Sequence, residues 1–390
     1  MNIIYILYEF PNLTETYILN EILMVQRKGI AVNIFAFGKT NENMIQPGMG
    51  KIKNLSYMSE KNILKLLYGH LYWLIKNPVN YIYVLFFAIK PSNGIRRLFL
   101  IRLYDIIKIT KCKPQHIHAH FGGKAADMAM LVNLLTGISF TFTTHAHDIF
   151  YMPPPNYRIK SRLAKKHITI ANYNKKHIVK KFSVRPTDVE VIHCGFDFNF
   201  TRKSSLPSQD NKNLIMTVAR LEEVKGLDIL IKACSELKKQ GVYFTCFIIG
   251  GGSQKKYLGQ IIDELYLNDK VRLLGSKTYD EVLDLISEAT VVVLPSRSEG
   301  IPNALIEAMA LKIPVVGSNI GGVPELIEDG NSGFLVKPGN ALQLTEKIKI
   351  LLSDISLRKT FAENGFIKVR KEFNLDTEVD KLINLWKIQI

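Results

Sequence analysis

Short apolar segments alternate with amphipathic segments along most of the chain. In the first half, residues 2–8, 31–36, 116–121 and 140–144 have the apolar character of strands, and residues 14–28 have the spacing of a helix. The same alternation starts again in the second half. Alternating strands and helices predict parallel sheets that are covered by helices on both faces.

A polar, serine-rich segment interrupts this alternation at residues 198–210. We therefore predict an α/β protein with two doubly wound, Rossmann-like domains, for which a length of 390 residues is sufficient. The predicted bounds are 1–197 for the first domain, 198–211 for a linker, 212–372 for the second domain, and 373–390 for a last helix with the option of packing back on the first domain. Ligands of such sheets bind at the carboxyl ends of the strands, so we expect the site in a cleft between the two domains.

The net charge of +16 is concentrated in the first half of the chain. Residues 1–200 contain 26 Lys and Arg against 11 Asp and Glu, whereas residues 201–390 contain 25 against 24. A bias confined to one half indicates an anionic partner, and the candidates are nucleic acid, a phosphorylated substrate and a membrane surface. The apolar segments within residues 61–113, edged by Lys and Arg, suit either an interfacial element on anionic lipid or ordinary core helices.

Three features of the sequence predict a cytoplasmic protein. No apolar run reaches the roughly 18 residues of a membrane span. The start, MNIIYILYEFP, lacks the basic region and the cleavage site of a signal peptide. The four cysteines have neither metal-binding nor disulfide-rich spacing, which favours a reducing compartment.

Loops at strand ends in the second half carry residues suited to an anion. Arg220 and Lys225 place two cations near one strand end, which suits a diphosphate, although ordinary surface cations have the same pattern. The glycine run 250–252 either lets backbone amides approach a phosphate or forms a plain tight turn.

The most informative pattern is residues 295–309. Pro302 fits the first turn of a helix, and the free amides of residues 301–305 with the positive helix end would form an anion site. Glu299 and Glu307 flank that site, and eight residues of helix would separate them by roughly 12 Å. This is too far for a hydrolytic pair around one bond, but it suits the two ends of an extended ligand.

Five of the nine histidines lie in or just after two predicted strands. Alternation by two puts His116, His118 and His120 on one face of a strand. Packed and hydrogen-bonded imidazoles are one interpretation of this pattern. The other is the metal site of a hydrolase, with ligands from His116, His118, His145 and Asp148.

Taken in order, these motifs resemble the donor site of retaining GT-B glycosyltransferases of family 4. The resemblance is carried by Arg220 with Lys225-Gly226, by Glu299 and Glu307 in an E-x7-E pattern, and by Gly321-Gly322-x-Pro-Glu325. Residues 192–197 are similar to the segment that ends that family's first domain. Residues 11–21 are similar to the start of a bacterial exopolysaccharide subgroup of the colanic-acid and amylovoran type, with Thr14 where serine is usual.

The resemblance implies a role for each matching residue. Arg220 and Lys225 would hold the nucleotide diphosphate, and Glu307 would bind the ribose hydroxyls. The catalytic residues would be Glu299, beside the transferred sugar, and His145, which matches the family's active-site histidine. Further donor contacts would come from Gly251, Gly275, Gly300, Ile301, Pro302, Asn303, Ala304 and Leu305. Weaker assignments to the acceptor or the cleft are Thr14, Glu15, His120 and Asp148.

The implied reaction moves a hexose from a nucleotide sugar, with a UDP-sugar as first choice, to a glycan acceptor linked to a lipid such as polyprenyl diphosphate. The anomeric configuration would be retained. No cofactor or divalent metal is expected, because the two cations and the helix end would replace the metal ion. The product would be a bacterial surface polysaccharide.

The expected partners follow from this reaction and from the charge. The enzyme would be peripheral on the anionic inner face of the cell membrane, and no nucleic acid is expected as a partner. Two alternatives stay open: a metallohydrolase that uses the histidine clusters, and a soluble disaccharide-forming or glycogen-type transferase of the same fold.

Overall fold

The computed structural model of the chain describes residues 1–40, 46–60, 62–199 and 213–387. The chain forms two compact units, one of Met1–Ile192 with Val379–Ile390 and one of His193–Glu378. Residues 200–211 of the predicted linker lie outside the described residues.

The first unit contains a seven-stranded parallel sheet in the order β3-β2-β1-β4-β5-β6-β7. Its strands are β1 (Asn2–Glu9), β2 (Ala31–Gly38), β3 (Leu55–Tyr57), β4 (His116–His120), β5 (Phe140–Thr144), β6 (Lys166–Thr169) and β7 (Val189–Val191). Strands β4 and β5 are buried along their whole length, as expected for central strands that are covered on both faces. The strand order reverses between β1 and β4, which is where doubly wound sheets bind their ligands.

Seven helices of the first unit follow in chain order. They are α1 (Thr16–Arg27), α2 (Ile63–Lys76), α3 (Pro78–Ile89), α4 (Arg96–Lys111), α5 (Lys124–Thr136), α6 (Tyr157–Leu163) and α7 (Asn172–Phe182). Helix α5 is buried nearly all round, and its Met128 and Leu131 pack in one core with Ile117 and Phe142 of the sheet. Helix α2 begins where the Asn62 side chain accepts hydrogen bonds from two amides of the first turn.

The second unit repeats this architecture with six parallel strands in the order β10-β9-β8-β11-β12-β13. The strands are β8 (Leu214–Val218), β9 (Thr245–Ile249), β10 (Val271–Gly275), β11 (Val291–Leu294), β12 (Val315–Ser318) and β13 (Phe334–Val336). The helices are α8 (Leu227–Lys239), α9 (Lys255–Glu264), α10 (Tyr279–Ser287), α11 (Asn303–Ala310), α12 (Val323–Leu326), α13 (Ala341–Ser353) and α14 (Ile355–Glu372). The order reverses between β8 and β11, so the loops after these two strands lie at the ligand-binding edge.

The last helix, α15 (Leu375–Lys387), begins in the second unit and ends in the first. Its end carries Trp386, whose Nε1 donates a hydrogen bond to Thr141 Oγ1 of β5 at 3.1 Å. The indole ring also contacts the rings of Tyr5 and His118, with centroid distances of 6.1 and 5.6 Å. Residues from Val379 to Lys387 therefore contribute to the core of the first unit.

The predicted fold class is confirmed, because both units are parallel α/β sheets of Rossmann-like topology. Within the described ranges, no helix combines the length and the apolar character needed to cross a membrane.

Candidate functional site

The loops that follow β8, β9 and β10 lie together at the carboxyl edge of the second sheet. The amide of Gly250 donates to the carbonyl of Gly275 at 2.9 Å, and the amide of Leu221 donates to the carbonyl of Gly251 at 2.8 Å. Gly250 has a φ of +141°, and a Cβ at this position would collide with the carbonyl oxygen of Ala219. The glycine run therefore allows these loops to approach one another closely.

Glu299 is a buried carboxylate in the loop after β11. Its Oε1 accepts a hydrogen bond from Ser296 Oγ at 2.7 Å and lies 2.6 Å from Lys225 Nζ. The second carboxylate oxygen has no partner among the described residues. Glu299 is thus held on one side and can accept a hydrogen bond from a ligand hydroxyl on the other.

Arg297 joins the loop before α8 to the loop after β11. Its two terminal nitrogens donate to the two carboxylate oxygens of Asp228, each at 2.8 Å, and one of them also donates to the carbonyl of Glu223 at 2.8 Å. Burial raises the pKa of Asp228, but the hydrogen bonds and charge of Arg297 outweigh burial and hold that pKa below its usual value. This fork-to-fork pair fixes the loop that carries Lys225 beside the loop that carries Glu299.

An anion-binding group of amides precedes and opens helix α11. The helix begins at Asn303 with Pro302 as its N-cap, and the amide of Leu305 donates to the carbonyl of Pro302 at 3.1 Å. In the part of the chain that the structure describes, no partner is found for the amides of Gly300, Ile301, Asn303 and Ala304. Unpaired amides at the positive end of a helix suit a phosphate group.

Glu307 lies one turn further along α11 and is 9% exposed. No described residue forms a hydrogen bond or ion pair with its carboxylate. Burial raises the pKa of Glu307 to about 7, so the group is easily protonated while it has no ligand. Arg220, by contrast, is exposed, and its guanidinium has no hydrogen-bond or ion-pair partner in the described ranges.

A second group of polar side chains lies in the first unit, where β1, β4 and β5 meet α1. Glu21 Oε1 accepts a hydrogen bond from Tyr5 OH at 2.8 Å and lies 3.2 Å from His120 Nε2 and 3.7 Å from His118 Nε2. His120 Nδ1 lies 3.4 Å from His145 Nε2, and the two imidazoles are stacked. We call Tyr5, Glu21, His118, His120 and His145 the histidine cluster.

The histidine cluster combines the neutral imidazoles of His118 and His145 with the ionised carboxylate of Glu21. Burial lowers the pKa values of His118 and His145 well below the usual value. Burial alone would raise the pKa of Glu21, but His120, His118 and the Tyr5 hydroxyl together outweigh it and hold that pKa below its usual value. The cluster can therefore accept and pass on hydrogen bonds near neutral pH.

The carboxylate of Asp148, beside the histidine cluster, binds two backbone amides. Its Oδ1 accepts from the amide of His145 at 2.9 Å and its Oδ2 accepts from the amide of Gly122 at 2.6 Å. The two carboxylate oxygens therefore stabilise the turns that follow β4 and β5. Burial raises the pKa of Asp148 although these amides oppose the shift.

Comparison with known proteins identifies the family. Residues 199–368 match the family described as glycosyl transferases group 1, and residues 14–200 match glycosyltransferase family 4. An uncharacterized glycosyltransferase, MJ1178 of Methanocaldococcus jannaschii, is 30% identical over 298 residues, which cover 76% of this chain and 80% of that protein. The chain belongs to glycosyltransferase family 4.

Two further relatives come from bacterial polysaccharide pathways, according to their descriptions. The putative colanic acid biosynthesis glycosyltransferase WcaL of Salmonella typhimurium is 28% identical over 377 residues, which cover 89% of this chain and 90% of WcaL. The amylovoran biosynthesis glycosyltransferase AmsK of Erwinia amylovora is 42% identical over 161 residues, which cover 37% of this chain and 40% of AmsK. The predicted resemblance to this subgroup is confirmed.

A solved structure shows the same fold. Anabaena Alr3699/HepE, crystallised in complex with UDP, superimposes with a TM-score of 0.75 at 20% identity, and the match covers 98% of this chain and 99% of that chain. The chain is therefore a GT-B glycosyltransferase, as predicted.

The structure of the glycosyltransferase brings together most of the predicted donor residues. Lys225 and Glu299 are in direct contact, and the loops of Gly251 and Gly275 are adjacent. Two details of the prediction were wrong. Pro302 is the N-cap and not the first helical residue, and Leu305 offers no free amide because its N–H is bonded within the first turn. No contact joins Arg220 to Lys225 or Glu299 in the described residues.

The first unit also changes the predicted assignments. The metal set of His116, His118, His145 and Asp148 does not form, because Asp148 binds two amides and both ring nitrogens of His116 are hydrogen-bonded to Ser139 and Thr141. Among the described residues, the group whose possible ligand atoms lie within 4.8 Å of one another is Glu21, His118 and His120. Thr14 is exposed, and its amide and hydroxyl both donate to Asn12 Oδ1, whereas Glu15 is the N-cap residue of α1.

Sequence reasoning missed Glu21 and the Arg297–Asp228 pair. Glu21 lies inside the motif 11–21, but its partners His118 and His120 are 97 and 99 residues away. Arg297 stands two residues before Glu299, and Asp228 follows directly after Gly226-Leu227. An arginine and an aspartate at two neighbouring strand ends were a signal that could have predicted the pair.

Proposed function

We propose that the protein transfers a hexosyl group from a UDP-sugar to a glycan acceptor during the synthesis of a bacterial exopolysaccharide, with retention at the anomeric carbon and without a divalent metal ion. The observation that carries the proposal is the Lys225–Glu299 pair beside the unpartnered amides of Gly300, Ile301, Asn303 and Ala304. The descriptions of WcaL and AmsK support the polysaccharide class, and the UDP complex of HepE supports the donor base.

In this proposal the donor diphosphate binds at the start of α11. The four free amides donate hydrogen bonds to the phosphate oxygens, and the positive helix end stabilises their negative charge. Lys225 and Arg220 add two cations. Glu299 accepts a hydrogen bond from a hydroxyl of the transferred sugar through its second oxygen. Glu307 accepts hydrogen bonds from the ribose hydroxyls, and the loop at Gly275 contacts the base. Cations and amides would then supply the charge stabilisation that a metal ion gives in other enzymes.

The chemical step needs no covalent intermediate on the protein. The bond between the anomeric carbon and the phosphate oxygen breaks, and the bond to the acceptor oxygen forms on the same face of the sugar. The acceptor proton passes to an oxygen of the leaving UDP. We also propose a catalytic role for His145, whose imidazole is kept neutral by burial and is positioned by stacking on His120.

The proposed acceptor is a glycan linked to a lipid diphosphate on the inner face of the cell membrane. The charge of the first half, 26 basic against 11 acidic residues, supports an anionic acceptor and an anionic surface. The histidine cluster offers a rival, since Glu21, His118 and His120 have the residue types of a zinc site.

Calorimetry with UDP, GDP and ADP in the presence of a chelator tests the donor proposal. We expect UDP to bind the wild-type protein and to bind Glu307→Gln at least tenfold more weakly, because a buried hydrogen-bonding carboxylate is lost. Glu328→Gln, at an exposed surface ion pair, is the control and should bind UDP normally. Binding of GDP or ADP alone would contradict the UDP assignment.

Two further measurements test the chemistry. Proton NMR of the first product reports the anomeric configuration, and an inverted product would contradict retention. Activity in excess chelator should stay unchanged. If activity is lost with the chelator and returns with zinc, the metal site in the histidine cluster replaces the proposed metal-independent mechanism.

A further inference from the structure

Helices α2 and α3 carry an unusual share of the exposed apolar surface. Of the 26 large apolar side chains that are exposed in the described residues, 12 lie between Ile63 and Ile89. On α3 the exposed positions include Val79, Ile82, Tyr83 and Phe86, which have the i, i+3, i+4, i+7 spacing of one helix face. Phe86 is 65% exposed and Val79 is 76% exposed.

Helix α2, which lies next to α3, also has an exposed apolar face. Leu64, Leu67, Tyr68, Leu71 and Ile75 are exposed and follow the same spacing along one face. A soluble protein rarely exposes so many large apolar side chains on two neighbouring helices without a binding role. We call the exposed apolar faces of α2 and α3 the outer face of the hairpin.

The opposite faces of both helices are firmly packed, so the outer face has a fixed orientation. Trp73 of α2 is buried, and its Nε1 donates to the carbonyl of Leu103 at 3.0 Å. A Cβ at Gly69 would lie 2.7 Å from the amide nitrogen of Tyr104, so α2 lies directly against α4. Asn77, between the two helices, donates to the carbonyl of Leu135 at the end of α5.

Helix α4 belongs to the core and not to the outer face. Phe99, Leu103 and Ile106 are buried beneath the hairpin. The two interpretations of the segment 61–113 therefore apply to different helices: α4 is a core helix, whereas α2 and α3 each have one face in the core and one face outside.

The charged residues of α2, of α3 and of the segment that joins α3 to α4 are all basic. Residues 62–104 contain no Asp or Glu. Five exposed cations lie on the hairpin and on the segment that follows it: Lys65, Lys76, Lys90, Arg96 and Arg97. Of the two acidic residues that flank this stretch, Glu60 is exposed just before α2, and Asp105 is buried and already bonded to Arg102 and to the amide of Ser59.

The geometry of the hairpin excludes a spanning arrangement. Helices α2 and α3 have 14 and 12 residues, which correspond to about 21 and 18 Å, shorter than the roughly 30 Å of a bilayer core. An apolar face edged by cations is the form of a helix that lies in the plane of a membrane interface. A second copy of the chain is a poor occupant, because it would bring the same cations together.

We propose that the outer face of the α2–α3 hairpin inserts into the interface of an anionic membrane, with Phe86, Ile82 and Leu71 among the acyl chains and the surrounding Lys and Arg at the lipid phosphates. This inference rests on the proposed lipid-linked acceptor, and it names the element that holds the enzyme at the membrane. Tyr68 and Tyr83 suit the level of the headgroups.

Flotation with vesicles tests this inference with the full chain. We expect binding to vesicles of phosphatidylcholine with 30% phosphatidylglycerol and at least tenfold weaker binding to phosphatidylcholine alone. The double variant I82S/F86S should lose at least tenfold in partitioning to the anionic vesicles, because two large apolar side chains no longer enter the interface. Both side chains are exposed, so the fold should be unaffected.

The matched control is I355S/I367S, which removes two equally exposed isoleucines from α14 and should partition like the wild type. If both double variants lose vesicle binding equally, or neither does, the inference is wrong. If I82S/F86S instead abolishes a dimer seen by sedimentation, the occupant is a second copy, which also overturns it. UDP binding is measured on the same samples, so a failed donor proposal appears as lost nucleotide binding and not as lost flotation.

Discussion

Glu307 is a carboxylate whose burial opposes its own ionisation. Its pKa of about 7 lies above the ordinary value of 4.5, so the folded protein binds a proton here more tightly than the unfolded chain does. If the ionised carboxylate accepts hydrogen bonds from the ribose hydroxyls, as proposed, UDP must bind the protein in which Glu307 is deprotonated. We therefore predict that UDP affinity falls as the pH drops through about 7, and calorimetry between pH 5.5 and 8.5 measures this.

The same pKa predicts a stability effect of the opposite direction. A raised carboxyl pKa means that burial of the group costs nothing below about pH 4.5, costs progressively more between 4.5 and 7, and costs its full amount above 7. Glu307→Gln should therefore raise the melting temperature at pH 8. The corresponding gain in the free energy of unfolding is on the order of 3 kcal/mol at most, and it should vanish near pH 4.5. A variant that is destabilised at pH 8 would show that the carboxylate has a stabilising partner.

The histidine cluster shows which contacts of single residues cannot be predicted from the sequence. Alternation by two placed His116, His118 and His120 on one face correctly, because strand geometry is local. It gave no information about Glu21, which reaches the same imidazoles from helix α1, nor about which histidines have free ring nitrogens. Those facts depend on how α1 packs against β4, and a single sequence does not encode that packing in any local pattern.

At the scale of elements, the loop after β12 supports the loop that carries Glu299. Gly321 has a φ of +60°, and a Cβ at this position would collide with the carbonyl oxygen of Glu299. The amide of Gly322 donates to the carbonyl of Gly300 at 2.9 Å. An alanine at position 321 would be strained by its backbone angle and would also push against Glu299.

Gly321→Ala is therefore predicted to lower kcat/KM for the nucleotide sugar at least tenfold, because a displacement of about 1 Å in a catalytic loop has this effect. Gly330→Ala is the matched control. It has a similar φ of +76° but no atom within 4 Å of the added Cβ, so only the strain of roughly 1 kcal/mol remains. Equal activity of the two variants would mean that contact with Glu299 is unimportant.

The strand-end loops were the most predictable elements and the α2–α3 hairpin the least. Buried parallel strands are continuous apolar runs, so β8, β9 and β11 and the loops that follow them could be placed from the sequence. The environment of an apolar helix is harder to predict, because a helix with one face in the core and one face in lipid has the same composition as a helix that is buried on all sides. Only the packing of Trp73 and Gly69 against α4 shows which face is outside.

At the scale of the whole molecule, the first unit is built from two separate parts of the chain. Residues 1–192 supply the sheet, and the end of α15 supplies Trp386, which covers Tyr5, His116 and His118 and bonds to Thr141. The two ends of the chain must therefore come together before the first unit is complete. Its stability should depend on a residue near the C-terminus.

Trp386→Ala should destabilise the first unit by about 3–5 kcal/mol, as expected for loss of a buried indole, and Trp386→Phe should cost less because only the hydrogen bond and part of the packing are lost. The chain has two tryptophans, and the other, Trp73, also lies in the first unit. Urea unfolding followed by Trp73 fluorescence in Trp386→Ala therefore reports that unit alone. Asn384→Ala, at an exposed position of the same helix, should leave the transition in place. An unchanged Trp73 transition in Trp386→Ala would mean that α15 does not stabilise the sheet, and the core of the first unit would then end at residue 192.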